Sequence, residues 1–320
     1  MSAALLIALL AASALQKRLM LWTTDDGANT NQTVRAQYLA ELATVKDIVD
    51  VVSPCSYYIE QTLPHRLLRK QGARSLHTAL RDQGFKLQPL VGDIAGGWNM
   101  SWYRETFGPV HGPTFADDAA QEILAGGFEG LNWDYEPHQS TGTLNDSVLF
   151  AHMVRNTIYQ SRHPLSTIDF PCAGQLCDPA TLSASAPSTI KLIDMATYAG
   201  SSTSNETAWV QTLHTHMAAA GGSSRYGMGV CPSCSRGLTA AQISARLAAA
   251  EAAGVQEIDV WANVDPDDPD SKLWWAALRQ WKASNATKPQ KPVVHCNPAA
   301  KPSEHCPGGT ACPPSGLCPN

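Results

Sequence analysis

The chain has 320 residues and a formal net charge of −5, from 23 Lys and Arg against 28 Asp and Glu. No Lys/Arg cluster stands out from that balance, so nucleic acid and other polyanions are excluded as partners. With 44% hydrophobic residues the chain can bury a sizeable core, and its length suits one large (β/α)-barrel domain with appendages.

The N-terminus, MSAALLIALLAASALQ, is apolar from Ala3 to Leu15, too short to span a bilayer. Ala12-Ser13-Ala14 supplies the small residues of a cleavage site, so residues 1–14 are expected to be a signal peptide and no membrane span is expected. Two other features agree with a secretory route. Five glycosylation sequons begin at Asn31, Asn99, Asn145, Asn205 and Asn285. Of nine cysteines, four (Cys296, Cys306, Cys312, Cys318) crowd into the final segment, as disulfide staples would in an oxidising compartment. The expected location is secreted or lysosome-like.

In chain order, β-like runs alternate with helical ones. Strands are predicted at 18–24, 48–59, 86–94, 127–136, 167–173, 191–199, 225–231 and 257–264. Helices are predicted at 32–46, 63–83, 115–126, 146–161, 206–220, 239–253 and 270–283. Thr239 and Gly254 bracket one of them as cap and terminator. Trp274, Trp275, Leu278 and Trp281 recur at spacings of three to four on the last helix, which reads as a stripe packed on the outside of a barrel. Eight βα repeats without a GxGxxG or P-loop argue for an α/β fold, a (β/α)8 TIM barrel over residues 15–284. A Pro/Lys linker (285–295) and a short Cys-rich tail (296–320) follow.

The fourth predicted strand, GFEGLNWDYEP (127–137), concentrates polar groups. Alternation puts Asn132, Asp134 and Glu136 on one face. Barrel active sites gather at C-terminal strand ends, which makes Glu136 the outermost carboxyl, with Asp134 about 6 to 7 Å behind it. Two carboxyls so close titrate as a coupled pair, one of them raised, which supplies a protonated acid.

The E-x-x-N-x-D-x-E run resembles the DxxDxDxE signature of family 18 glycoside hydrolases, the chitinases and their relatives. The resemblance implies that Glu136 is the general acid/base and that Asp134 orients the substrate's N-acetyl group. The carbonyl oxygen of that group is the nucleophile of a retaining, substrate-assisted reaction. Asn132, a supporting hydrogen-bond partner, stands where most chitinases have Asp, as in the di-N-acetylchitobiase branch. DIAGGW (93–98), ATYAG (196–200), MGV (228–230) and VWAN (260–263) resemble the third, sixth, seventh and eighth strands of that family. They imply Tyr198 as an acetyl-holding residue and Trp261 as the floor under the sugar. Ala199 replaces the family's Asp after that tyrosine.

The implied partner is an N-acetylglucosamine-containing oligosaccharide or chitin, bound by a monomer without cofactor or metal. The alternative is a catalytically weak chitin-binding lectin on the same barrel. A glycosidase with its own carboxylate nucleophile would need a further strand-end carboxyl, for which Asp194 and Asp265 are the formal candidates. Cys231-Pro-Ser-Cys234 is expected to close a local disulfide, and Cys55 to be a buried free thiol. The acidic run 265–270 reads as a solvated loop.

Overall fold

The computed structural model describes residues 17–24, 27–60, 62, 66–92, 110–134, 167–172, 191–194, 197, 206–234, 237–261 and 264–284. In chain order its strands are β1 (Arg18–Thr23), β2 (Val51–Ile59), β3 (Leu67–Arg69), β4 (Lys86–Leu87), β5 (Leu90–Gly92), β6 (Gly130–Trp133), β7 (Thr167–Cys172), β8 (Lys191–Asp194), β9 (Tyr226–Val230) and β10 (Glu257–Trp261). Its helices are α1 (Gln32–Ala43), α2 (Ala73–Asp82), α3 (Gly112–Gly126), α4 (Glu206–Ala219), α5 (Ala240–Ala252) and α6 (Pro269–Ala283).

The sheet is central, curled and mostly parallel, in the order β1-β10-β9-β8-β7-β6-β5-β2, and β1 also pairs with β2. The pairings therefore return to the strand on which they began, as in a (β/α)8-like barrel. Parallel strands covered on both faces read as nearly continuous apolar runs, and β1 and β9 do so. Period-two alternation divides their side chains between two cores. Leu19, Leu21, Met228, Val230, Ile258 and Val260 face outward into the large core beneath the helices. Met20, Trp22, Val51, Leu90, Ile193 and Cys231 form a smaller cluster inside the curl.

The helices follow their predicted punctuation. Thr239 and Gln242 form a reciprocal capping box on α5, and Gly254 ends the turn after it at φ +81°. Trp274, Trp275, Leu278 and Trp281 on α6 are all buried in the outer core. Burying each such side chain contributes about 1.5–3 kcal/mol, so the stripe is a large anchor for the last helix. Asp265 Oδ1 accepts from the backbone N–H of Asp267 and Asp268, and Asp268 caps α6. The acidic run is thus a turn and a cap. Asn31, the one sequon asparagine among the described residues, is exposed and caps α1.

Two predicted elements are corrected. The helix expected at 63–83 begins only at Ala73, because Leu67–Arg69 pairs antiparallel with Tyr57–Ile59 of β2. Gly72, at φ +77°, makes the turn between this strand and the helix, and a Cβ there would collide with the Asn29 carbonyl. The strand expected at 86–94 is broken into β4 and β5 at Gln88-Pro89, where proline has no N–H to give the ladder. The predicted signal peptide, helix 146–161, linker and tail lie outside the described residues.

Candidate active site

All eight ring strands run the same way, so their last residues share one pole. β6 reaches it in a fixed register: the N–H groups of Asn132 and Asp134 donate to the carbonyls of Pro89 (2.9 Å) and Val91 (3.1 Å). Leu131 and Trp133 face outward, Trp133 against Phe115 of α3 at 5.9 Å between ring centroids. Alternation then turns Asn132 and Asp134 inward. Asp134 is half-buried, and its Oδ2 would stand 4.0 Å from a methyl placed on Gly92, the last residue of β5. Asn132 is fully buried, and neither its amide nitrogen nor its oxygen has a hydrogen-bond partner among the described residues.

Across the curl, β10 ends on Trp261, half-buried and edge-on to the buried Trp22 of β1 at 6.1 Å. Aromatic faces and edges of this kind offer apolar surface that a sugar ring's C–H groups can cover. Beside them Cys231, directly after β9, is joined to Cys234 by the expected disulfide. A fully buried carboxyl, Asp259, lies on the inward face of β10 two residues before Trp261. Gly227 of β9 makes room for it, since a Cβ there would strike Asp259 Oδ2.

The sequence-predicted residues are therefore placed unequally. Asp134 and Asn132 come to one inner wall at the C-terminal pole and Trp261 to another. Glu136 and Tyr198 lie outside the described residues. The two formal nucleophile candidates do not belong to this pole's inner face. Asp194 is fully buried: its Oδ2 accepts from Tyr226 Oη at 2.6 Å and lies 3.0 Å from His216 Nδ1 of α4. Burial and then the adjacent Asp194 carboxylate hold the Tyr226 phenol well above its ordinary value. Asp265 is engaged in its turn. Among the described residues no group of three His, Cys, Asp or Glu side chains could hold a metal ion, and no helix is long and apolar enough to cross a membrane.

Sequence reasoning missed Trp22, Asp259 and the pair Cys55–Lys70, whose Nζ–Sγ distance is 3.3 Å. For Trp22 and Asp259 the signal was available. Each sits an even number of residues from an inward neighbour, Met20 and Trp261 respectively. Nothing local in the sequence announces the Lys70 contact, which depends on β3 folding back on β2.

The protein shares its fold with several solved chitinases. By sequence the chain matches no protein-family model and no curated protein. Among solved structures it resembles the chitinase of Chromobacterium violaceum ATCC 12472, at a TM-score of 0.59 and 11% identity over 83% of this chain and 99% of that one. The spore cortex-lytic enzyme SleL of Bacillus cereus gives 0.63 and 10%, over 83% and 74%. The class V chitinase of Nicotiana tobaccum gives 0.56 and 11%, over 82% and 99%. At such identities the likeness is one of fold alone.

Proposed function

We propose that the protein is a secreted or lysosome-like glycoside hydrolase of the family 18 type, cleaving β-linked N-acetylglucosamine glycans such as chitin oligomers or the chitobiose core. The observation that carries this reading is Asp134. Its carboxyl stands on the inner wall, at the C-terminal pole of a chitinase-like sheet, one alternation step beyond the buried Asn132.

In the proposed reaction Glu136, two residues further along the chain, donates its proton to the glycosidic oxygen. The substrate's own acetamido oxygen attacks C1 as the leaving group departs, with retention after two displacements. Asp134 accepts a hydrogen bond from the acetamido N–H and balances the positive charge of the oxazolinium-like intermediate. Trp261 is the proposed floor beneath the sugar, Tyr198 a further hold on the acetyl group, and Asn132 the support behind Asp134. Between β9 and β10 the described residues hold a single helix, α5, which favours an open cleft for short or protruding glycans.

The test is hydrolysis of chitotriose and of a chitobiosyl fluorogenic substrate by the wild type and Glu136→Gln. Loss of a general acid should lower turnover by about 10²–10⁴-fold with the fold intact. A wild type that binds both substrates and cleaves neither would overturn the hydrolase reading in favour of the lectin. Equal cleavage of an analogue lacking the N-acetyl group would overturn the substrate-assisted step.

A further inference from the structure

Cys55 forms no disulfide, and it is half-buried rather than buried. It lies in the C-terminal half of β2, on the inward face, where it packs against the interior cluster and pairs with Leu90 of β5. Its surroundings are built rather than incidental. The Lys70 ammonium donates to Sγ at 3.3 Å. Lys70 is delivered there by the antiparallel β2–β3 pairing, with its own N–H bonded to the Ser56 carbonyl at 2.8 Å. A cation at that distance favours the thiolate, the form that reacts.

The thiol also borders the proposed sugar site. Gly92 separates Cys55 from Asp134 without a side chain. A methyl on Gly92 would stand 3.7 Å from Cys55 Sγ and 4.0 Å from Asp134 Oδ2, so both groups face the same small space. Independently of the thiol, the inner wall here carries a fully buried polar group with no partner among the described residues, the Asn132 amide. Leu90 pairs with Cys55 on one side and Asn132 on the other, so all three belong to one row of the wall. Buried amides are nearly always satisfied, and an exception on this inner wall points to a polar ligand there.

We propose that Cys55 is a covalent modification site for small disulfides of the glutathione type, and that the adduct closes the sugar site. The closing half of this proposal rests on the functional reading above. Solvent base takes the thiol proton. The Cys55 thiolate then attacks one sulfur of the reagent, the reagent's S–S bond breaks, and its other half leaves as a thiolate that solvent protonates. Cys55 is thereby oxidised to a mixed disulfide and one half of the reagent is reduced. Lys70 keeps its proton and acts only by its charge.

The experiment treats the full chain with glutathione disulfide, maps the adducts by peptide mass spectrometry, and follows chitotriose hydrolysis in parallel. Wild type, Cys55→Ser and Lys70→Met are each compared with their own untreated activity. Cys55 should take one adduct, and saturating chitotriose should slow the reaction. Hydrolysis in the wild type should fall in step with occupancy, while Cys55→Ser keeps its starting activity under treatment. Lys70→Met should slow adduct formation at pH 7 about tenfold and move the midpoint of its pH–rate profile upward, a shift that mere loosening would not produce. The proposal is overturned if Cys55 stays unmodified in excess reagent, if Lys70→Met reacts as fast as the wild type, or if full occupancy leaves hydrolysis unchanged. A wild type that cleaves no acetamido sugar overturns the functional reading instead, and the adduct and Lys70 arms still decide the thiol.

Discussion

The two poles of the sheet are made by the same strands and treat polar groups in opposite ways. At the N-terminal pole, Glu257 opens β10, Arg18 opens β1 and Lys191 opens β8. Arg18 Nη1 reaches the Glu257 carboxylate at 3.0 Å, Lys191 bonds it too, and Arg18 Nη2 binds Gln88 Oε1 at 3.0 Å and Glu129 at 3.3 Å. Glu129 is held also by Lys86 at 2.7 Å. Charge answers charge, and the end is plugged. At the C-terminal pole, Asn132 is buried with its amide unanswered among the described residues, and beyond it stand a half-exposed carboxyl, an indole and a thiol. Satisfaction marks the end that holds the fold together; its lack marks the end prepared for something else.

The largest break in that contrast should come from the plug. Glu257 is 3% exposed, so Glu257→Gln leaves two cations in a poorly solvated site without their shared counter-charge. Breaking a buried pair costs about 3–5 kcal/mol, and the low end applies because Arg18 retains Glu129. For a domain of this size a loss of about 3 kcal/mol lowers Tm by roughly 6–12 °C. Calorimetry at pH 7 checks it. A change under about 1 kcal/mol would show that the plug is decorative and that the contrast between the poles has been misread.

What could be read from the sequence divides along the same line. Strand and helix order was legible because each element carries its own periodicity and punctuation, as Thr239, Gly254 and the Trp274–Trp281 stripe show. Asp134 and Asn132 were legible as a pair because alternation is a local rule, and Trp261 only through the resemblance of the VWAN run to a family 18 strand. The plug was not, since Arg18 and Glu257 meet across 239 positions of sequence and only ring pairing brings them together. β3 was hidden for a related reason: Leu67-Leu68-Arg69 looks helical beside Leu76 and Leu80, and its pairing with β2 decides otherwise. Glu136 and Tyr198, the sequence's own choices for the acid and the acetyl hold, lie outside the described residues.

The outer jacket behind Cys55 supplies a smaller, pH-dependent test. His77 of α2 is buried, with Nε2 2.8 Å from Ser56 Oγ, and its ring stacks on Tyr57 at 6.0 Å. Burial, and then the nearby Arg69 and Arg81 charges, push its pKa from 6.5 down to about 3. The folded state thus refuses a proton that the unfolded chain accepts below about 6.5. The resulting stability is present above that pH and is lost as pH falls toward 3. Between pH 7 and pH 5 the loss from this one residue is about 2 kcal/mol. Denaturant titrations of the wild type and His77→Leu should show a shallower fall in the variant by about that amount. Parallel curves would mean that the acid weakness resides elsewhere.

The finest test asks whether the unanswered amide at the other pole is retained for work. Asn132→Leu keeps the side chain's size and removes two buried polar atoms that have no partner among the described residues. Each such atom carries a desolvation cost of about 1–3 kcal/mol, part of which local relaxation recovers. The variant should therefore be more stable than the wild type by about 1 kcal/mol. Hydrolysis of chitotriose should nevertheless fall at least about tenfold, because the inward-facing amide of the proposed sugar site has gone. Opposite signs in the two measurements are the signature of a residue kept at a cost to stability. If Leu lowers stability by 1 kcal/mol or more, Asn132 belongs with the plug as architecture. If stability rises and hydrolysis is untouched, the inner face of β6 contributes its carboxyl to the chemistry and nothing beneath it.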